Sequence, residues 1–229
     1  MRLLRKASKV PSLPDLGLRG LALKNLIEAI ERPHGIILVV GPTGSGKTTT
    51  LYSVLDKVAT PKVNVVTIED PVEYQMKGVN QVQVNVQAGL TFASALRSFL
   101  RQDPNIIMVG EIRDQETADL AVNAALTGHL VFSTLHTNDA SGVPPRLLDM
   151  GVEPFLLTSA LNCVVGQRVL RRVCPNCAQD IDIPANQFED IKTTLGPIYE
   201  MIEDKWKKDN RSMKVKKPVG CDKCNGTGY

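Results

Sequence analysis

Aromatic side chains are scarce: one tryptophan, four tyrosines and five phenylalanines make up 4% of the 229 residues. That leaves little material for stacking bases, and a net charge of only +3 adds no basic surface for gripping nucleic acid. No apolar run approaches the ~18 residues a bilayer-spanning helix needs. The basic opening Met1-Arg-Leu-Leu-Arg-Lys6 has no apolar stretch behind it to act as a secretory signal. Together these absences predict a soluble, cytoplasmic protein. Cysteine is also sparse, five in all, and in that setting thiols point to a metal or a buried residue before a disulfide. The remainder is 43% hydrophobic, enough for one large core and a small appendage.

The most informative stretch begins at Gly35. Ile36 to Val40 is a β-branched, apolar run of the kind that forms a buried parallel strand. It opens into Gly41-Pro42-Thr43-Gly44-Ser45-Gly46-Lys47-Thr48, which fits the G-x-x-x-x-G-K-[ST] phosphate loop. Thr49 follows, and Leu51, Val54, Leu55 and Val58 then share one helical face, so strand, loop and helix come in the order the motif requires. Glycines let successive N–H groups turn toward phosphate oxygens, and the helix N-terminus adds partial positive charge. Lys47 can reach the β/γ-phosphates and the Thr48 hydroxyl can hold Mg²⁺. The chemistry indicated is binding of a nucleoside triphosphate.

The flanking pattern alternates strand and helix, which predicts an α/β core with a mainly parallel sheet. Residues 7–18 carry two prolines and read as a linker, followed by an amphipathic helix through Leu23, Leu26, Ile27 and Ile30. Val63–Ile68 reads as a strand ending in Glu69-Asp70-Pro71-Val72-Glu73, and Ile106–Val109 as one ending in Gly110-Glu111-Ile112-Arg113-Asp114. Acids at the carboxyl ends of parallel strands stand where ligands bind. Val82, Val84 and Val86 alternate with polar residues, as in an exposed hairpin or edge strand. A helix through Phe99 carries Arg97 and Arg101 one turn apart, and an Ala-rich helix over Gln115–Leu126 is capped by Asp114. Leu130–Thr134 reads as a further strand bracketed by His129 and His136. Beyond it, Pro144-Pro145, a helix over Phe155–Val165 containing Cys163, and a short strand near Arg168–Val173 complete the core.

A hydrolase of this kind needs a metal-binding carboxylate and a group that orients or deprotonates water. Glu111 stands in the Walker B position; Glu69, Asp70 and Glu73 are its rivals, and spacing leaves open whether Glu69 or Glu111 is the base. His129 and His136 are candidates to sense the γ-phosphate if both strand ends face it. Arg97, Arg101, Arg113 and Arg146 are candidates for phosphate or cross-subunit contacts, since an arginine stabilises charge developing in the transition state.

From Cys174 the chain turns polar, with a lysine-rich run over 205–217. Cys174-Pro-Asn-Cys177 and Cys221-Asp-Lys-Cys224 are two C-x₂-C pairs that together can enclose a tetrahedral, structural Zn²⁺. A helical insertion over Ile191–Lys207 would fill the spacer. A disulfide or a redox pair is the competing reading.

Taken together, the phosphate loop 41–48, the acidic box 67–73, the atypical Walker B segment 106–114 and the histidine box 128–139 resemble the secretion ATPase family that drives type II secretion and type IV pilus assembly. The tetracysteine element and its Cys-Asn-Gly-Thr-Gly-Tyr ending extend the resemblance toward the secretion and pilus-extension branches, with the opening closest to the pilus-assembly type. The resemblance implies a RecA-like motor core (18–173) in a homo-hexameric ring, using ATP and Mg²⁺, with a zinc lobe (174–229). Residues 1–17 would be a linker and the end of an upstream domain, and Arg2 would match a family arginine there. It also implies Glu69, Glu111, Lys47 and Arg113 as catalytic and Asp70, Glu73, Arg97, Arg101, His129 and His136 as nucleotide-side residues. The partner would be an inner-membrane platform protein, at the inner face of the cytoplasmic membrane, and no nucleic acid. Asn105 stands where the family usually has Asp, and Pro144-Pro145 would interrupt an expected helix. A RecA-like nucleic-acid translocase with a zinc lobe is the alternative, kept alive by the lysine-rich run.

Overall fold

A computed structural model describes residues 10–183, 185–196, 199 and 214–229. Arg2, and the portion of the lysine-rich run from 205 to 213, lie outside the described residues. The chain divides into two compact units, Met1–Val169 and Leu170–Tyr229.

The first unit is organised by β1 (Gly35–Val40), all six of whose residues are buried. Before it comes α1 (Gly20–Ile30) and after it α2 (Lys47–Val58). Then follow β2 (Val65–Glu69), β3 (Asn80–Gln83), α3 (Phe92–Phe99), β4 (Ile106–Val109), α4 (Gln115–Leu126), β5 (Leu130–Leu135), α5 (Val143–Asp149), α6 (Pro154–Ala160) and β6 (Leu161–Gly166). The strands form one six-stranded sheet in the order β3-β2-β4-β5-β1-β6, and every pairing in it is parallel. A parallel sheet covered on both faces explains why Ile36–Val40 of β1 and all of β4 are apolar at every position and not at alternate ones.

The period-2 geometry of β1 shows how the two faces are filled. Ile36, Leu38 and Val40 enter one core with Phe92, Leu96 and Ala121 from α3 and α4. Ile37 and Val39 enter the other with Leu26 from α1 and Leu51 and Leu55 from α2. Leu13, inside the stretch read as a linker, is also buried in this second core. Parallel strands all end at one edge of the sheet, so the residues following β1, β2, β4 and β5 gather there.

Three local expectations are revised. The helix expected over Phe155–Val165 stops at Ala160, and Leu161–Gly166 continues as β6, paired with β1 from Ile36↔Leu161 to Val40↔Gly166. Periodicity cannot separate a short apolar strand from a helix; the open edge of β1 decides, and it places half-buried Cys163 on a strand. The strand expected near Arg168–Val173 does not form, and Val169 and Leu170 are exposed. Pro144 and Pro145 do not interrupt a helix, because they occupy the first turn of α5, where a missing N–H costs no hydrogen bond. The region around Val82 is an edge strand, β3, running parallel to β2.

In the second unit, β7 (Gln179–Asp182) pairs antiparallel with β8 (Lys214–Lys217), and α7 spans Ala185–Leu195. The expected helix reached to Lys207, and its part beyond 199 lies outside the described residues.

Candidate nucleotide site and tetracysteine cluster

The loop between β1 and α2 curls because its glycines permit it. Gly46 holds φ +84°, and a Cβ on Gly41 would lie 2.2 Å from the Gln167 carbonyl oxygen, so no larger residue fits there. Lys47 folds back across the loop, its ammonium donating to the carbonyls of Gly41 (3.0 Å) and Pro42 (3.2 Å). A cavity of about 880 Å³ opens above the loop. Thr43, Gly44, Gly46, Lys47, Thr48 and Thr49 form its floor, while Gly41, Pro42 and Ser45 stand behind it.

The opposite wall comes from the ends of three other strands. After β4, Glu111 accepts hydrogen bonds from the Arg113 guanidinium and from His136 Nε2 (2.7 Å). His136 follows β5, and Arg113 also lies 4.0 Å from Asp70 after β2. The Glu111 side chain is only 14% exposed. Burial by itself would raise its pKa, but the bonds from Arg113 and His136 outweigh that and hold the carboxyl below its ordinary value. Glu73 completes the wall and is exposed.

Glu69 and Tyr52 also line the cavity, but Glu69 has a different setting. It is 2% exposed, and both carboxylate oxygens are occupied. Tyr52 Oη, from α2, donates to one; Thr67 Oγ1 (2.6 Å) and Gln81 Nε2 (3.2 Å) donate to the other. The Tyr52 oxygen in turn accepts the Glu73 backbone N–H at 3.2 Å. Burial first, and then the neighbouring carboxylate, push the Tyr52 pKa far up, so the phenol stays protonated and remains a donor. This network ties the phosphate-loop helix to the acidic box.

Other expected residues lie elsewhere. His129 precedes β5 and bonds the Ala124 carbonyl through Nδ1 at 3.0 Å. A six-residue strand is about 20 Å long, so its two ends cannot both face one phosphate, and His129 is at the far one. Arg97 pairs with Glu116 between α3 and α4, and Arg101 donates to Ser98 Oγ at 3.4 Å; neither lines this cavity. Arg146 is exposed on α5 and is also absent from the lining. Sequence reasoning passed over Tyr52, Thr67, Gln81 and Gln167. Tyr52 carried a signal, as the one phenol on the buried side of α2.

In the second unit the four Sγ atoms of Cys174, Cys177, Cys221 and Cys224 lie within 4.8 Å of one another, and all four thiols are free. Three separations are 4.0 Å (174–221), 3.8 Å (177–224) and 3.7 Å (221–224). A tetrahedron with ~2.3 Å Zn–S bonds has edges of about 3.8 Å, whereas a disulfide brings sulfurs to about 2.05 Å. Backbone N–H groups of Gly220 donate to Cys177 Sγ (3.4 Å) and those of Cys221 and Gly228 to Cys224 Sγ (3.2 Å each). Donors aimed at sulfur favour the thiolate a metal binds, and the donor set fits zinc.

Comparison with known proteins agrees with this geometry. The model of the type II/IV secretion system protein family matches residues 1–229. The chain is 51% identical over 229 residues to the type IV pilus assembly ATPase PilB of Thermus thermophilus, covering 100% of this chain and 24% of that protein. It is 48% identical over 235 residues to the putative type II secretion system protein E of Escherichia coli, covering 100% of this chain and 44% of that protein. The chain thus spans less than half the length of these relatives. Among solved structures, the pilus retraction motor PilT with bound ADP superposes with TM-score 0.60 at 34% identity, over 87% of this chain and 61% of that one. The ATPase DotB of Legionella pneumophila does so with TM-score 0.54 at 36% identity, over 65% of this chain and 42% of that one.

Proposed function

Since the chain belongs to the type II/IV secretion system protein family, we propose that it is the ATP-hydrolysing motor core of a pilus-assembly or type II secretion machine. One observation carries the proposal: a single cavity joins the phosphate loop to an acid–arginine–histidine cluster delivered by three other strand ends. In this reading the loop N–H groups and Lys47 hold the β- and γ-phosphates. Thr48 and Glu111 supply the hard oxygen ligands for Mg²⁺, which when bound neutralises phosphate charge. Arg113 and His136 face the γ-phosphate end of the cavity.

Glu73, on the exposed wall, takes the water-orienting role that the sequence left open between Glu69 and Glu111. Glu69 lines the cavity as well, but, 2% exposed and held by Tyr52, Thr67 and Gln81, it serves to hold the box that carries Asp70 and Glu73. The tetracysteine cluster is a closed structural zinc site. Assembly into a homo-hexamer bearing on an inner-membrane platform protein is part of the proposal, as is a place at the inner face of the membrane. The described residues include no helix long and apolar enough to cross a bilayer.

The test is titration of the chain with MgATP and measurement of phosphate release. The intact chain binds, Lys47→Ala abolishes binding, and Glu73→Gln binds but loses turnover by at least a hundredfold. An intact, folded chain with no affinity for ATP or ADP overturns the reading.

A further inference from the structure

We propose that Gln167, which follows β6 and is not among the residues lining the cavity, is a positioning residue that clamps the phosphate loop from behind; the inference rests on the nucleotide reading above. Its backbone N–H donates to the Val40 carbonyl at 2.8 Å, carrying the β6–β1 ladder one residue past Gly166. That fixes Gln167 beside the start of the loop, where its carbonyl occupies the space a Gly41 side chain would need. Its amide then makes two further bonds. Nε2 donates to the Ser45 carbonyl at 2.5 Å and Oε1 accepts from Thr50 Oγ1 at 2.6 Å. Thr50 lies in the first turn of α2 and is fully buried. Its hydroxyl bonds across to Gln167, and not to a helix carbonyl as a buried threonine commonly does.

One residue therefore bonds the end of β1, Ser45 within the loop and the helix that follows. The consequence for ligand binding comes from the planarity of the peptide unit. In a trans peptide the carbonyl and the next N–H point opposite ways. Holding the Ser45 carbonyl on the Gln167 side turns the Gly46 N–H the other way, toward the cavity that Gly46 lines and that Ser45 and Gln167 do not. This peptide lies between Ser45 and Gly46, and Gly46, with no side chain and φ +84°, offers little resistance to its rotation. Without the clamp the peptide samples orientations whose N–H does not face a phosphate, and binding must first select the right one.

The experiment is calorimetric titration of the full 229-residue chain with MgADP, joined to the ¹⁵N–¹H signal of the Gly46 amide. Gln167→Met keeps the volume and removes both side-chain bonds. It lowers MgADP affinity about tenfold and greatly reduces the shift of the Gly46 amide on saturation, a local readout that general loss of stability would not move. Thr50→Val, nearly isosteric, lowers affinity about threefold and adds nothing in the Gln167→Met background, since both act through one clamp. Should Gln167→Met fail to fold, the Thr50→Val affinity and its Gly46 signal decide alone. Affinity and a Gly46 response equal to the unaltered chain in either folded variant, with Lys47→Ala still abolishing binding, overturn the clamp and leave the nucleotide site standing. Absence of MgADP binding by the unaltered chain overturns the site itself.

Discussion

Tyr52→Phe isolates the buried network beneath the site, because it deletes one oxygen and keeps the ring. Tyr52 is 0% exposed, and its ring packs edge-on against Tyr74 at 4.6 Å between centroids, a contact phenylalanine retains. What disappears is the donor to Glu69 and the acceptor for the Glu73 N–H, together with a long 3.5 Å contact from Gln81 Nε2, which keeps its bonds to Glu69 and the Tyr74 carbonyl. A hydrogen bond to a buried charged group contributes about 1.5–3 kcal/mol, and a neutral bond about 0.5–1.5 kcal/mol. The sum predicts a loss of about 2–4.5 kcal/mol. In a chain of this size each kcal/mol moves the melting temperature by about 2–4 °C, so the transition of the first unit falls by about 4–18 °C. Circular dichroism melts with zinc held constant measure it, and if the two units melt separately only the earlier-described unit shifts. The accompanying Glu69→Gln change replaces the stranded carboxylate with a neutral amide, so Tyr52→Phe/Glu69→Gln costs less than the two single changes added together. A Tyr52→Phe melt within 1–2 °C of the unaltered chain, or strictly additive effects in the double variant, would refute the claim that Glu69 is a structural acid held by Tyr52.

Arg113→Ala removes the strongest partner of Glu111 and is expected to lower turnover by about a hundredfold or more in steady-state phosphate release, with MgADP affinity reduced far less. The pH dependence follows from Glu111, whose folded pKa lies below its ordinary 4.5. Its contribution to stability is fully present above that ordinary value and is lost as pH falls through the lower folded one. The stability gap between the unaltered chain and Glu111→Gln is therefore level above about pH 5.5 and narrows on further acidification, as denaturant titrations at several pH values would show. Chelating the metal, or Cys221→Ser, is expected to unfold the second unit selectively, read as loss of protection of the β7–β8 amides in hydrogen exchange, and elemental analysis should give one zinc per chain. Phe132→Ala, in the centre of β5 and 0% exposed, is expected to cost about 3–5 kcal/mol and to abolish nucleotide binding only through unfolding.

The strands and the phosphate loop could be read from the chain because their causes are local. A strand buried on both faces tends to be apolar at consecutive positions, as Ile36–Val40 and Ile106–Val109 are, and a loop that cradles phosphate must spend glycines. The acidic clusters were equally visible, since they follow directly on those strands. Choosing among them was another matter. Thr67 and Glu69 lie two apart on β2 and so share a face, the geometry that lets Thr67 Oγ1 bond Glu69; that pattern was available. The other two partners, Tyr52 and Gln81, come from α2 and β3 and left no mark beside Glu69 in the sequence.

His129 and His136 make the same point about direction. Both flank β5, and only the polarity of a parallel sheet separates them, because the phosphate loop follows β1 and every strand beside it runs the same way. Once the sheet is taken as parallel the choice is forced: the residue after the strand belongs to the site and the residue before it does not. Gln167 marks where such reasoning stops. Its amide partners, Ser45 and Thr50, stand 122 and 117 residues earlier in the chain, and an unremarkable Gly-Gln-Arg after a strand that itself read as helix gives no local reason to look there. The residues that touch phosphate obey a motif because the ligand is the same in every such protein. Those that hold the loop in shape answer to whichever strand the fold places beside it, and here that strand is β6.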